Sequence, residues 1–240
     1  RDYNVDLIDI NLGCPAPKIV KNNYGSALMK NPELTAKIIT AVNKAVKIPV
    51  TVKMRKGWDD KNINAVEIAQ ISEESGASAV TVHGRTREEF YTGQADWDII
   101  KDVKKEVNIP VIGNGDVFSG NAAVKLKEKT NCDAVMLARG VQGNPWLVKK
   151  CISKFNGQKE ISGPDFEEKI NMAIEHMYES VKYYGEKRAI PLMRKHISWY
   201  LKGLPHSSDI KDKINQLKEK ELVENLLKDY LFFLKNKIND

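Results

Sequence analysis

No apolar run in the sequence approaches the about 20 residues that a membrane-crossing helix needs. No N-terminal stretch reads as a signal peptide either, so membrane and secreted classes are set aside. Cysteine is scarce. Cys14, Cys132 and Cys151 are an odd number without metal-ligand spacing, which suits a reducing cytoplasm and argues against a metal centre. No Gly-x-Gly-x-x-Gly follows an apolar run, so the dinucleotide fingerprint is missing. Low-complexity segments and internal repeats, beyond an alternation of apolar runs and helical patterns, are absent too.

What remains is ordinary globular composition: 240 residues, 42% hydrophobic and 29% charged, enough for a sizeable core and one or two domains. Lys and Arg number 38 against 32 Asp and Glu, for a net charge of +6. That excess permits a polyanionic partner without requiring one. The chain begins at Arg1 rather than Met, with a strand-like run almost at once, and reads as a fragment.

Five short apolar runs have the length of buried parallel strands: Val5–Asn11, Pro49–Met54, Ala79–His83, Pro110–Gly113 and Ala134–Ala138. Amphipathic stretches lie between them, such as Leu34, Ile38, Val42 and Val46. Successive βα units imply a parallel sheet, either doubly wound or part of a (β/α)8 barrel. Each run ends in chemically active residues: Asn11 and Cys14, Lys53 and Arg55, His83 and Arg85, Asn114 and Asp116, and Arg139. Drawing chemistry from the ends of many strands is barrel behaviour, so the expected fold is a partial TIM barrel carrying about the last five βα units. Residues 1–160 form this domain. After a Gly/Pro/Ser linker, residues 165–240 are expected to make a small all-helical domain, with Phe166, Ile170, Ala173 and Met177 on one face and Leu222, Leu226, Leu227, Tyr230 and Leu234 on another.

Several groups carry chemistry. Cys14, between Gly13 and Pro15, is either an unreactive small apolar residue or a proton donor, since a thiol with pKa near ~8.5 is mostly protonated at neutral pH. Lys53 and Arg55 share one side of a strand end, and a lysine inside a barrel calls for an anion or acceptor. His83 and Arg85 repeat the pattern. Gly113-Asn-Gly-Asp116 and Ala138-Arg-Gly140 end the last two strands in glycine turns before helices, where backbone N–H groups approach phosphate. Lys182 to Lys202 holds six basic residues against Glu186 alone, interleaved with Tyr183, Tyr184, His196, Trp199 and Tyr200. The mix suits RNA, or else a solvated helix face over packed rings.

Asp9-Ile-Asn-Leu-Gly-Cys-Pro15, Val52-Lys-Met-Arg55, Val82-His-Gly-Arg-Thr86, Gly113-Asn-Gly-Asp116 and Ala138-Arg-Gly-Val-Gln-Gly-Asn-Pro-Trp146 together resemble the tRNA-dihydrouridine synthases. Arg194-Lys-His-Ile-Ser-Trp-Tyr-Leu-Lys-Gly203 is similar to the C-terminal signature of the bacterial B-type group. The resemblance implies an FMN-dependent barrel with a helical tRNA-binding domain, reducing the C5–C6 bond of tRNA uridines with NADPH. It implies Cys14 as general acid. Lys53, His83, Asn114, Gly115, Asp116, Ala138 and Arg139 would bind FMN, while Asn11, Arg55, Arg85, Arg194 and Lys195 would bind substrate. A cytoplasmic monomer without metal or membrane is expected. The early strands of the family, with their Ala-Pro-Met-type loop and flavin-contacting glutamine, have no counterpart here, so a chain starting at Arg1 is expected to leave the barrel unclosed and FMN weakly held. Two other readings share these features: a flavin barrel acting on free pyrimidines, and a non-catalytic RNA-binding fragment.

Overall fold

Five parallel strands follow one another both in sequence and in space: β1 (Ile8–Leu12), β2 (Val50–Arg55), β3 (Ala79–His83), β4 (Val111–Asn114) and β5 (Ala134–Met136), in the order β1-β2-β3-β4-β5. The order never reverses, so the sheet has no switch point of the doubly wound kind. The computed structural model describes residues 4–159 and 161–238. Arg1, and residue 160 at the expected domain end, lie outside the described residues.

The connections are α1 (Pro17–Val20), α2 (Pro32–Ala45), α3 (Ala65–Glu74), α4 (Asp98–Glu106) and α5 (Gly120–Thr130), with a 3-10 turn at Gly25–Lys30. Local chemistry starts them. Asn31 caps α2 by accepting the Leu34 N–H at 3.0 Å, with Pro32 in the first turn, and Ser119 caps α5 through the Ala122 N–H at 3.1 Å. Asn131 closes α5 in the left-handed conformation at φ 57°.

The strand pattern sorts side chains onto two faces. Ile8, Ile10, Leu12, Val50, Val52, Met54, Val80, Val82 and Val111 take one face, and the fully buried ones among them form a core with Ile39, Ile68, Ile100, Val103 and Leu126 of the helices. Each fully buried Val, Leu or Ile contributes roughly 1.5–3 kcal/mol. The α5 helix packs hard on β4. A Cβ at Gly113 would lie 2.5 Å from Leu126 Cδ2 and 3.1 Å from Cys132 Sγ, which fixes Cys132 as a packing residue.

Two strand ends differ from expectation by more than one residue. The first strand starts at Ile8, and Val5 and Leu7 are exposed, because β2 is the neighbour of β1 in the sheet and its pairing begins at Ile8 with Val50. The fifth ends at Met136, leaving Ala138 outside, because β4 offers no partner beyond Asn114, where Gly115 turns the chain at φ 132°.

The chain divides into two compact units, residues 1–139 and 140–240. The described elements of the second are helical: a 3-10 turn at Arg139–Val141, then α6 (Trp146–Phe155), α7 (Phe166–Tyr184), α8 (Glu186–Tyr200), α9 (Ser207–Gln216) and α10 (Lys220–Ile238). Asp165 and Glu168 form a reciprocal capping box at the start of α7. Ile170, Ala173 and Met177 meet Ile190, Met193, Ile197, Leu227 and Leu234 in one apolar core. No described helix is long and apolar enough to cross a membrane.

Within this unit the backbone of Trp199 presses on Gly143. A Cβ there would lie 2.4 Å from the Trp199 carbonyl carbon, and the residue sits at φ 65°. Backbone cannot swing aside as a side-chain tip can. Gly143→Ala is therefore expected to cost about 2–3 kcal/mol, read as a lower urea midpoint with an unchanged m-value.

Candidate active site

The remaining sheet face is polar. Strand register aligns Asn11, Lys53, Thr81 and Ile112 in one row, and Arg55, His83, Asn114 and Met136 in the next toward the C-terminal edge. Below them Asp9 accepts a hydrogen bond from Thr51 Oγ1 at 2.7 Å. The structure thus gathers most of the expected site residues along one edge, but it uses them differently from one another.

Cys14 lies in the loop after β1, partly exposed, with a free thiol. Its position is fixed from three sides. Asn11 Oδ1 accepts the N–H groups of Gly13 at 2.9 Å and Cys14 at 3.0 Å, and Ser26 donates both N–H and Oγ–H to the Cys14 carbonyl. Gly25 passes beneath, at φ 61°, where a Cβ would be 2.9 Å from Cys14 Cβ. The carbonyl side of Asn11 therefore shapes the loop, and its Nδ2 is what remains for a ligand.

Arg55 and Arg85 correct the sequence reading. Both were expected to reach substrate, yet they are 2% and 1% exposed. Arg55 donates through Nε to Gly13 O at 2.9 Å, and through Nη1 to Thr86 O at 2.7 Å and Phe90 O at 2.9 Å. Arg85 donates through Nε to Thr92 O, through Nη2 to Gly93 O, and through Nη1 and Nη2 to both Asp116 oxygens at 2.9 and 2.7 Å. A buried guanidinium must satisfy its fork, and here loop carbonyls do so. Both arginines position the loop from Gly84 to Trp97, which leaves β3.

Asp116 departs from its expected phosphate role as well. Held at φ 54°, its carboxylate also takes the Ala95 N–H at 2.7 Å and Arg139 Nη2 at 3.1 Å. Burial alone would raise its pKa; the Arg85 hydrogen bond, the Ala95 N–H and the charges of Arg85 and Arg139 outweigh this and hold it below the usual carboxylate value. Such a carboxylate would repel phosphate. Asn114 is buried, its Nδ2 spent on Met136 O at 2.8 Å. Gly115 lets the chain pass Ala95 and His83, with a would-be Cβ at 2.6 Å from Ala95 Cβ. Ala138 is exposed beyond β5.

Besides Asn11 Nδ2 and the Cys14 thiol, Lys53, Arg139 and His83 keep capacity for a ligand. Lys53 is half-buried, and burial, then the charge of Arg55, pull it below the usual lysine value against the opposing pull of Asp9. Arg139 is partly exposed and stacks its guanidinium 4.7 Å from the Tyr91 ring. His83 is buried, and desolvation, then Arg55, Lys53, Arg85 and Arg139, lower its pKa to about 3, leaving a neutral imidazole.

Sequence reasoning missed Tyr91. It is 51% exposed, on the arginine-held loop, 6.3 Å from the His83 ring and 5.5 Å from the Arg55 guanidinium carbon. The long stretch between β3 and α4, carrying Phe90, Tyr91 and Gly93 straight after a strand-end motif, was the available signal. Arg194 and Lys195 belong to the other unit. Arg194 turns inward, with Nη2 on Leu217 O at 2.8 Å, whereas Lys195 is exposed with Nζ 4.9 Å from the Trp199 ring. Among the described residues no group of three His, Cys, Asp or Glu could hold a metal ion.

A family model described as "Dihydrouridine synthase (Dus)" matches residues 1–235. The chain belongs to the dihydrouridine synthase family. Among its relatives, the "Probable tRNA-dihydrouridine synthase" of Rickettsia bellii is 45% identical over 230 residues, covering 96% of this chain and 71% of that protein. The "tRNA-dihydrouridine synthase B" of Pasteurella multocida is 42% identical over 203 residues, covering 85% and 61%, and that of Pseudomonas aeruginosa 38% over 218, covering 91% and 66%. In this dihydrouridine synthase the motif cysteine and the strand-end lysine and histidine all stand at the C-terminal edge of the sheet.

Two tests follow from the charge arrangement. With its pKa depressed in the folded state, His83 should show no ring titration between pH 5 and 8 by NMR; its contribution to stability is complete above about pH 6.5 and declines as pH falls from there toward 3. Asp116→Ala should abolish hydrogen-exchange protection at the Ala95 amide and expose the Gly84–Trp97 loop to proteolysis, leaving the sheet protected.

Proposed function

We propose that this protein reduces the C5–C6 double bond of uridines in tRNA to 5,6-dihydrouridine, with Cys14 as the proton donor. The observation that carries the reading is the placement of Cys14: a partly exposed thiol, fixed by Asn11 and Ser26, at the edge of a sheet face bearing Lys53 and a neutral His83. The unreversed strand order supports the (β/α)8 architecture, in which every crossover delivers its loop to one rim.

The residues fit a flavin mononucleotide in part. Lys53 and Arg139 are cations with donors to spare, and neutral His83 can lie against an uncharged ring. The side chains of Asn114 and Asp116 do not fit as direct ligands; their turn offers backbone N–H groups instead. FMN, reduced by NADPH, supplies a hydride to C6 of the uracil when bound. Lys53 and Arg139 would hold it, Lys53 offsetting negative charge on its ring and Arg139 meeting its phosphate. Cys14 then gives its Sγ proton to C5, and solvent restores the thiol. Asn11 Nδ2 donates to a uracil carbonyl. Arg55 and Arg85 hold the loops that frame the base without touching it.

The second unit supports an RNA substrate. Tyr183 is 78% exposed, Lys182, Lys187, Lys195 and Lys202 point to solvent, and Arg188 rests 5.1 Å from the Tyr184 ring. A base must leave the tRNA stack to reach the site, and such a surface offsets that cost.

The expected outcome for Cys14→Ala in the full-length protein is a loss of roughly 10²–10⁴ in dihydrouridine formation, with FMN content and tRNA affinity retained. Mass-spectrometric mapping of tRNA from cells lacking the gene, complemented by each form, reads it. Activity that survives the substitution rejects the acid, and turnover of free uracil or dihydroorotate in place of tRNA rejects the substrate. Affinity for tRNA should also fall steeply as salt rises.

A further inference from the structure

Cations also gather around Trp58 in the loop after β2. Trp58 follows β2, and its backbone is pinned on both sides: its N–H donates to Asn62 O at 2.9 Å, and its carbonyl accepts the Glu88 N–H at 3.1 Å. Lys30 Nζ lies 4.6 Å from the centre of the indole, and the Arg87 guanidinium carbon lies 4.9 Å from it. An aromatic face attracts a cation but does not neutralise it. Among the described residues neither Lys30 nor Arg87 forms an ion pair, and Arg87 Nε is buried without an acceptor.

The acids nearby are turned to other work. Glu89 and Asp96 face Lys56 Nζ at 3.8 and 3.7 Å, and Asp59 Oδ1 accepts the N–H groups of Lys61 and Asn62. Glu67 also lines the first cleft, from the first turn of α3. Two clefts, of about 540 and 410 Å³, meet at this point, and Lys30 and Trp58 line both.

We propose that Lys30, Trp58 and Arg87 form a phosphate-binding station for the RNA strand on the first unit, separate from the basic helical surface. The proposal rests on the tRNA reading given above. Lys30 comes from the connection after β1, Trp58 from that after β2 and Arg87 from that after β3, so the three stand on successive loops of the rim that carries Cys14 and His83. A nucleotide extruded toward the polar sheet face leaves its neighbours on the surrounding loops. Their phosphates need cations that are held in place yet unneutralised, and the indole supplies both conditions. Contacts of this kind set register and affinity without reading sequence.

The test uses the full-length protein and four variants: Lys30→Glu with Arg87→Glu, Lys30→Ala with Arg87→Ala, Trp58→Ala and Trp58→Phe. The tRNA dissociation constant is measured across a salt series, together with KM, kcat and flavin content. Both double variants should bind tRNA about 10-fold or more weakly, with the slope of log K against log salt shallower by about 1.5. KM should rise while kcat at saturating tRNA and flavin content hold. Trp58→Ala should follow them in affinity and Trp58→Phe should not. If the parent protein binds tRNA and both double variants match its affinity and slope, the station is rejected while the tRNA reading stands; an acidic protein as the true occupant would give this result. If the parent neither binds nor modifies tRNA, the reading itself fails.

Discussion

The pairing of Arg85 with Asp116 is the constraint on which the rim depends. One buried guanidinium and one carboxylate join the end of β3 to the turn after β4, and the groups left over on each reach into the Gly84–Trp97 loop. The guanidinium could not be buried unpaired, because an unpaired buried charge costs several kcal/mol, whereas the carboxylate keeps part of its surface exposed. The pair therefore exists only when both strand ends and the loop are in register, and it ties their order together. Arg55 extends the same arrangement to the Cys14 loop through Gly13 O. Parts distant in sequence are thus placed by a handful of charge-assisted bonds rather than by apolar packing.

The charge balance of the edge follows. Lys53, Arg55, Arg85 and Arg139 face Asp9 and Asp116, so the region is electropositive before any ligand arrives. The imidazole among them cannot add a further charge, which is why burial and four cations drive it so far down. A positive, partly dry edge with a neutral ring is suited to anions and to polar heterocycles.

Much of this was legible in the sequence. The five strands and the strand-end residues follow from run length and two-residue alternation, which depend only on local backbone geometry. The identity of the family was carried by five motifs in order. What could not be read was the direction of long side chains. Arg55 shares a strand face with Lys53 and His83, and Arg85 continues the same alternation two residues past His83, so alternation alone sends all four toward a ligand. Whether a guanidinium reaches outward or folds back is decided by where loop carbonyls lie, and those belong to a stretch without periodicity. The engagement of the Asp116 carboxylate was hidden for the same reason, its partners lying 21 to 31 residues away. Arg194 repeats the lesson in the helical unit, where its acceptor is on Leu217.

The close passage of Gly25 under Cys14 has a consequence for genetics. A missense change at residue 25 adds atoms against the carbonyl and Cβ of the cysteine, and the path of least resistance is to tilt the sulfur away from its place while the sheet stays intact. In a screen for lost modification such an allele would be scored beside changes at position 14 itself. Gly25 is itself buried against the loop, so a residue without any reactive group would pass for a member of the candidate site.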